Sequence, residues 1–522
     1  MSTAKRKYSI FLLFLIIAGA VACGVILDVN PTELVFHSKA SSEKSFNVIS
    51  NTDWTAHCDA DWCSVLPSSG TGEQTLTVRV AQNDSLDARF ATITITASNN
   101  LLSKTVAITQ TQAPSPSAIP VIHSFNPTSA GFGSVLSIQG ANFSPVLSEN
   151  NVTLNGVPAV VLSASETEIR VEVPKNKLCS GLVQVTTSLD TATSNTHFTY
   201  VLTATVSTLA GNGTSGNSNG NSTEAQFRRP EAISMDTDNN IYVADTGNSL
   251  IRKITPEGVV STFAGSTQGS ADGIATLAQF HFPHGIATDL ENNLYVSDSQ
   301  NHRIRKITPT GIVTTLSGTT RGFADGPATH AQWYTPRGLN TDSQGNLYVA
   351  DVDNNCIRKV APNGFVSTLI GGFGVAAPFD FPYDVDVDAQ GNLYVLDTIN
   401  HRISKVTPTR NILTIAGGTA GFADGEGSHA QFNYPMGLAV DAKGTLYVAD
   451  RFNHRIRMVT PEGVVSTLAG SGPIGYGNGD FADGTGDVAR FFNPTGIVVD
   501  AEGNNLYVAD NYNHRIRKIT LE

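Results

Sequence analysis

Six prolines, Pro230, Pro283, Pro336, Pro382, Pro435 and Pro494, each open a short apolar stretch, and the residues after them are Glu231, His284, Arg337, Tyr383, Met436 and Thr495. A carboxylate, an imidazole, a guanidinium, a phenol, a thioether and a hydroxyl thus share one equivalent position. Together they offer a ligand charge, donors and acceptors. The flanking positions repeat while this one varies, so the repeating residues serve the scaffold and the variable ones are candidates for recognition. They suit metal catalysis poorly. A catalytic zinc site takes three protein ligands, and His284 and Glu231 are the metal-binding types among the six.

A second set, His302, His401, His454 and His514, follows a recurring Asp at Asp298, Asp397, Asp450 and Asp510. An active site is built once in a chain, whereas a hydrogen-bonded clasp between two strands of a repeated unit must be built every time. The repetition therefore predicts a structural clasp, in which buried carboxylates need donors. The phrase Ala-Asp-Gly at 271–273, 324–326, 423–425 and 482–484 reads as a turn. The alternating acids of a calcium loop are absent from it.

These residues are positioned by a repeat. Ile241-Tyr-Val-Ala-Asp245 recurs with small edits ending at Asp298, Asp351, Asp397, Asp450 and Asp510, at separations of 53, 53, 46, 53 and 60 residues. That period suits one supersecondary unit of a propeller or solenoid. In the second copy, Gly285–Asp289, Leu294–Ser297, Arg303–Ile307 and Ile312–Leu316 read as four strands, punctuated by Glu291-Asn-Asn293 and Pro309-Thr-Gly311. Both alternating faces of Leu-Tyr-Val-Ala are apolar, as expected of a strand covered on two sides. The last copy ends one strand short, and Val206-Ser-Thr-Leu-Ala-Gly211 repeats the fourth-strand phrase Val465-Ser-Thr-Leu-Ala-Gly470 letter for letter. Ring closure is the expectation, since it leaves no open sheet edge.

Pro-x-Gly-[Ile/Leu], Leu-Tyr-Val-Ala-Asp and Asn-His-Arg-Ile-Arg-Lys resemble the NHL repeat family, over Leu202 to Glu522. Two copies depart from it, with Ala232 and Asp384 in place of the Gly. The resemblance implies an all-β, six-bladed β-propeller over 202–522. NHL propellers serve as protein- or RNA-binding platforms, and a few are enzymes, so the fold alone does not choose.

Upstream, Lys5-Arg6-Lys7 and the apolar run Ile10–Ala22 read as an export signal, residues 1–22. Ala20-Val-Ala-Cys23 resembles a bacterial lipoprotein cleavage box, which implies lipidation of Cys23, attachment to the membrane through that lipid and an outer-membrane location in the cell envelope, with the face left open. Residues 23–113 alternate strand-like runs with turns, a small β-sandwich pattern. Their landmarks, Ser50-Asn-Thr-Asp-Trp54, Asp61-Trp62, Pro67-Ser-Ser-Gly70, Arg89 and Thr109-Gln110, resemble the BACON domain of Bacteroidetes surface proteins. That family's association with carbohydrate makes Trp54 and Trp62 alternative sugar-stacking rings, against the plainer reading of core and rim packing. Cys58 and Cys63 stand close enough in sequence for a local bridge, which the spacing does not guarantee. A Pro-Ser linker, 114–118, leads to residues 119–201, where Pro120-Val-Ile-His-Ser-Phe-Asn-Pro127, Gly131, Gly140-Ala-Asn-Phe143 and Phe198-Thr-Tyr200 resemble the immunoglobulin-like IPT/TIG fold.

The whole resembles a Bacteroidetes-type NHL-repeat lipoprotein in which two β-sandwich modules carry a propeller. The net charge of −12 makes nucleic acid an unsuitable partner. The expectation is a non-enzymatic platform for a glycan or protein, with no cofactor. The alternative is a metal-dependent propeller enzyme of lyase or lactonase type.

Overall fold

The computed structural model describes residues 25–38, 42–98, 102–112, 119–175, 180–372 and 377–522. Cys23, the expected export signal, the expected linker at 114–118 and Cys179 lie outside these residues. Contacts divide the chain into two compact units, one dominated by residues up to Phe198 and the other by Thr199–Glu522. The described residues fold into strands and short 3-10 turns.

In the first unit, residues 27–110 form two sheets. One orders Leu27–Asn30, Ser42–Ser50, Gln74–Val80 and Cys63–Leu66; the other orders Glu33–Phe36, Ser103–Gln110, Arg89–Ala97, Asp53–Cys58 and Ser69–Thr71. Alternate residues point inward, so Phe46 and Val48, Leu76 and Val78, and Ile93 and Ile95 share one core. Residues 121–200 build a further set of strands, whose buried Leu136, Ile138, Ile169, Val171, Val183 and Val185 follow the same alternation.

The second unit contains six antiparallel sheets. The second runs, from inside outward, Pro283–Thr288, Leu294–Asp298, Arg303–Ile307 and Ile312–Ser317, followed by the short Gly273–Ile274. The innermost strands, Ala232–Met235, Pro283–Thr288, Pro336–Thr341, Pro382–Val387, Pro435–Val440 and Pro494–Val499, lie side by side in that order, and the last also touches the first. Ala204–Ala210 closes the sixth sheet by pairing antiparallel with Arg515–Leu521. Thr203 and Glu522 exchange two backbone hydrogen bonds of 2.7 and 2.9 Å at the end of that pair. Apolar residues of neighbouring sheets, such as Tyr242, Ile251, Phe280, Leu294 and Val296, form the cores between them.

The repeated Asp is the polar centre of each sheet. Asp298 accepts the His281 N–H at 2.7 Å, the Asn301 amide at 2.8 Å and the Arg305 guanidinium at 2.7 Å, with both charged side chains fully buried. The other Arg305 Nη donates to Asp272 at 2.7 Å and to the Ala271 carbonyl at 2.9 Å. The Asp of each Ala-Asp-Gly loop is therefore the second carboxylate of the clasp, as with Asp325, Asp424 and Asp483. The fourth sheet lacks that loop phrase, and there Ser404 replaces the buried Arg while Arg402, 29% exposed, binds Asp397 instead.

Candidate functional site

The innermost strands pack so closely that a side chain is excluded at most of their Gly positions. A Cβ on Gly285 would collide with the Arg337 carbonyl and one on Gly437 with the Thr495 carbonyl, while at Gly496 the Ala232 Cα and Glu231 oxygen stand 2.6 Å away. At the fourth strand the Gly is replaced by Asp384, whose carboxylate fills the junction and accepts the Leu438 N–H at 3.0 Å and the Val385 N–H at 2.9 Å. Two residues on, Asp386 accepts the Val440 and Val387 N–H groups, each at 2.7 Å, and the Asn340 amide. Burial raises both acids, Asp384 to about 8 and Asp386 to about 6.

Between the six strands runs a cavity of about 420 Å³. Glu231, His284, Arg337, Tyr383 and Met436 line it, one from each of five sheets. The Tyr383 hydroxyl donates to Glu231 Oε2 at 3.4 Å, and the Arg337 guanidinium lies 4.6 Å from the Tyr383 ring centre and 5.3 Å from that of Phe381. His284 donates from Nδ1 to the Phe282 carbonyl at 2.9 Å, which fixes the neutral tautomer and leaves Nε2 as an acceptor. Arg451 donates from Nη1 to the Met436 sulfur at 2.8 Å and stands over Phe452.

Enclosure governs the protons. Burial pushes the Glu231 carboxyl upward against the pull of Arg451 and Arg337. It lowers His284 to about 3, with Arg337 adding to the effect, and raises Tyr383 to about 12. His284 is a neutral acceptor and Tyr383 a neutral donor across the physiological range. Among the described residues no three His, Cys, Asp or Glu side chains gather as a metal ion would require.

Family profiles cover most of the chain in pieces. Residues 26–113 match the viral BACON domain, 120–200 the IPT/TIG domain, 227–254 and 280–307 the NHL repeat, and 322–512 the teneurin NHL domain. The chain carries BACON, IPT/TIG and NHL-type domains. NHL repeat-containing protein 2 of Bos taurus is 28% identical over 340 residues, 59% of this chain and 41% of that protein. Teneurin-4 of Homo sapiens is 28% identical over 260 residues, 46% of this chain and 8% of that protein. The chain thus spans well under half the length of these relatives. Among solved structures, a structural-genomics protein of Bacteroides thetaiotaomicron aligns with TM-score 0.53 and 19% identity over 78% of this chain and all of that one, a likeness of fold.

Several sequence expectations for the NHL ring and the BACON domain are corrected by the geometry. Thr495 does not line the cavity. It is 1% exposed, and its hydroxyl bonds the Pro230 and Ala509 carbonyls. The repeated His residues do not join strands within one sheet. They sit at positive φ at the end of a tight turn, and Nδ1 of His302, His401, His454 and His514 accepts a backbone N–H from the loop leading to the next sheet: Thr335, Tyr434, Asn493 and Arg229 respectively, at 3.1 to 3.2 Å. Trp54 is 1% exposed in the BACON core and cannot meet a sugar ring. Trp62 packs against that core, with the Arg89 guanidinium 4.3 Å from its ring centre covering one face. Cys58 and Cys63 are free thiols, and burial raises that of Cys63.

Sequence reasoning missed Arg451 and Asp386, and it marked Asp384 only as a departure from the repeat. The first had a visible signal. The residue after the repeated Asp is Thr246, Ser299, Val352, Thr398, Arg451 and Asn511 in turn. Four of these bond the carbonyl of the Pro that opens the next inner strand. An Arg is the outlier in that series.

Proposed function

We propose that this is an exported, lipid-anchored cell-envelope protein whose NHL ring is a six-bladed propeller that binds a glycan or protein ligand in its central cavity, without catalysis. The two immunoglobulin-like β-sandwich modules hold the propeller away from the membrane. The observation that carries the reading is the division of labour among polar residues. Every repeated Asp is committed to a clasp and four repeated His to links between sheets, while the five non-repeating side chains surround one cavity of about 420 Å³. That volume falls within the range of about 300–1,000 Å³ typical of small-ligand sites.

The test is a glycan array probed with the full chain in detergent, beside the variant with Glu231, His284, Arg337 and Tyr383 all changed to Ala. Saturable binding lost in the variant, with an unchanged melting temperature, supports the cavity. Binding that survives the four substitutions moves the site elsewhere. A stoichiometric transition metal in a protein that binds no glycan overturns the reading in favour of a propeller enzyme. For the anchor, Cys23→Ala should move the protein from the membrane fraction to the soluble fraction.

A further inference from the structure

Arg252, Arg305, Arg358, Arg457 and Arg517 lie inside the ring, and each pairs with a buried Asp at 2.7 to 3.0 Å. Arg337 and Arg451 differ from these five. Neither takes part in an ion pair or bonds a backbone carbonyl among the described residues; Arg337 lies against Tyr383 and Phe381, and Arg451 reaches the Met436 sulfur. A guanidinium carries five N–H donors in a planar fork, and a thioether is a weak acceptor. Two cations beside one cavity thus keep donors in reserve. None of the nearby acids forms a direct ion pair with them, although Glu231 feels the pull of both. Glu231 accepts from Tyr383, and burial favours its neutral form; Asp384 and Asp386 are turned onto backbone N–H groups.

We infer that the cavity selects a carboxylate-bearing sugar, with Arg337 and Arg451 holding the carboxylate. The inference rests on the proposed cavity-binding function and names its ligand class. Two further features point to a sugar acid rather than a simple organic acid. His284 Nε2 is an acceptor placed to take a hydroxyl. Beyond Arg451, Phe452 lies 5.1 Å from the Tyr434 ring centre and 5.5 Å from that of Tyr476, and Tyr476 is 71% exposed. The insertion that carries Tyr476 is pinned there, because the Gly475 N–H bonds the Phe452 carbonyl at 2.6 Å and His454 Nε2 donates to the Gly475 carbonyl at 2.8 Å. An acidic terminal residue in the cavity leaves its neighbouring sugars over these rings, where flat aromatic faces pack against pyranose C–H groups.

The test titrates the full chain in detergent with a glucuronate-terminated oligosaccharide and with its glucose-terminated counterpart, by calorimetry. The expected result is a preference for the acid on the order of tenfold or more, the scale of one charge-assisted hydrogen bond, declining as salt is raised. Arg337→Gln and Arg451→Gln should each remove most of the preference, the acidic chain losing far more affinity than the neutral one. Glu231→Gln should keep or increase it, and melting curves establish that each variant is folded. Equal affinity for both oligosaccharides, or a preference that survives both arginine substitutions in folded protein, overturns the inference and leaves the cavity reading standing. Failure to bind either chain, together with an empty glycan array, overturns the cavity reading and the inference with it.

Discussion

At the scale of the residue, the informative contrast is between side chains that recur and those that do not. His302, His401, His454 and His514 each accept an N–H at Nδ1, and burial holds all four below the ordinary imidazole value. A base whose folded value is lowered favours the folded state above its unfolded value and loses that contribution as pH falls. The NHL ring should therefore melt at progressively lower temperature from pH 7 downward through the histidine range. The third sheet already shows a non-titrating substitute, since Asn355 Oδ1 accepts the Phe381 N–H at 2.9 Å. Changing His302, His401 and His514 together to Asn should flatten the acid limb of a melting-temperature profile; an unchanged slope would refute the assignment. That these residues were structural was legible from their repetition. That they link neighbouring sheets was not, because the acceptor role depends on a left-handed turn aiming the ring at a loop more than thirty residues away in four of the six sheets.

At the scale of the element, the clasp explains why the sheets tolerate so many buried charges. Removing one partner of a buried ion pair leaves the other uncompensated, at a cost of about 3–5 kcal/mol. Asp351→Ala takes from the wholly buried Arg358 one of its two carboxylates, leaving it Asp325 and no route to water, whereas Asp397→Ala frees Arg402, which is 29% exposed and can turn to water. Equilibrium unfolding in urea should show Asp351→Ala as clearly the more damaging of the two, and equal losses would sink this account. The inner strands make a second demand. Gly437→Ala requires no unusual backbone angle, yet its methyl group meets the Thr495 carbonyl of the next strand. A loss of about 1–3 kcal/mol is expected, typical of overpacking, and a neutral result in the same unfolding experiment would show that the strands can part. Here the sequence was partly readable. The strands of the second copy follow from apolar runs and turn residues, but the joint absence of Ala-Asp-Gly and of the inward Arg in the fourth sheet becomes meaningful only once the two are seen to touch.

At the scale of the whole molecule, the period of the repeat carried the all-β architecture, because a unit recurring at 46 to 60 residues with four strand-like runs has few ways to bury both faces. What it could not carry was the content of the central cavity. Alignment of the copies singled out the position after each Pro, yet Thr495 turns into the wall, and Arg451, displaced fifteen residues from Met436, turns to the Met436 sulfur. Such choices depend on which backbone groups need a partner locally, and a repeat average hides them.

The pairing of Thr203 with Glu522 bears on how the ring can be written as a gene. Because those two residues meet in an antiparallel pair, the point at which translation enters the NHL ring is interchangeable with any other exposed turn. A circular permutant that joins 522 to 203 through a short Gly-Ser segment and begins at the exposed Thr310 should assemble the same sheets, with Ala204–Ala210 now following its partner directly in sequence. If that permutant folds and melts as a unit, the seam is one joint among six equals. If it does not, the order in which the two strands of that seam are made is itself part of how the ring assembles.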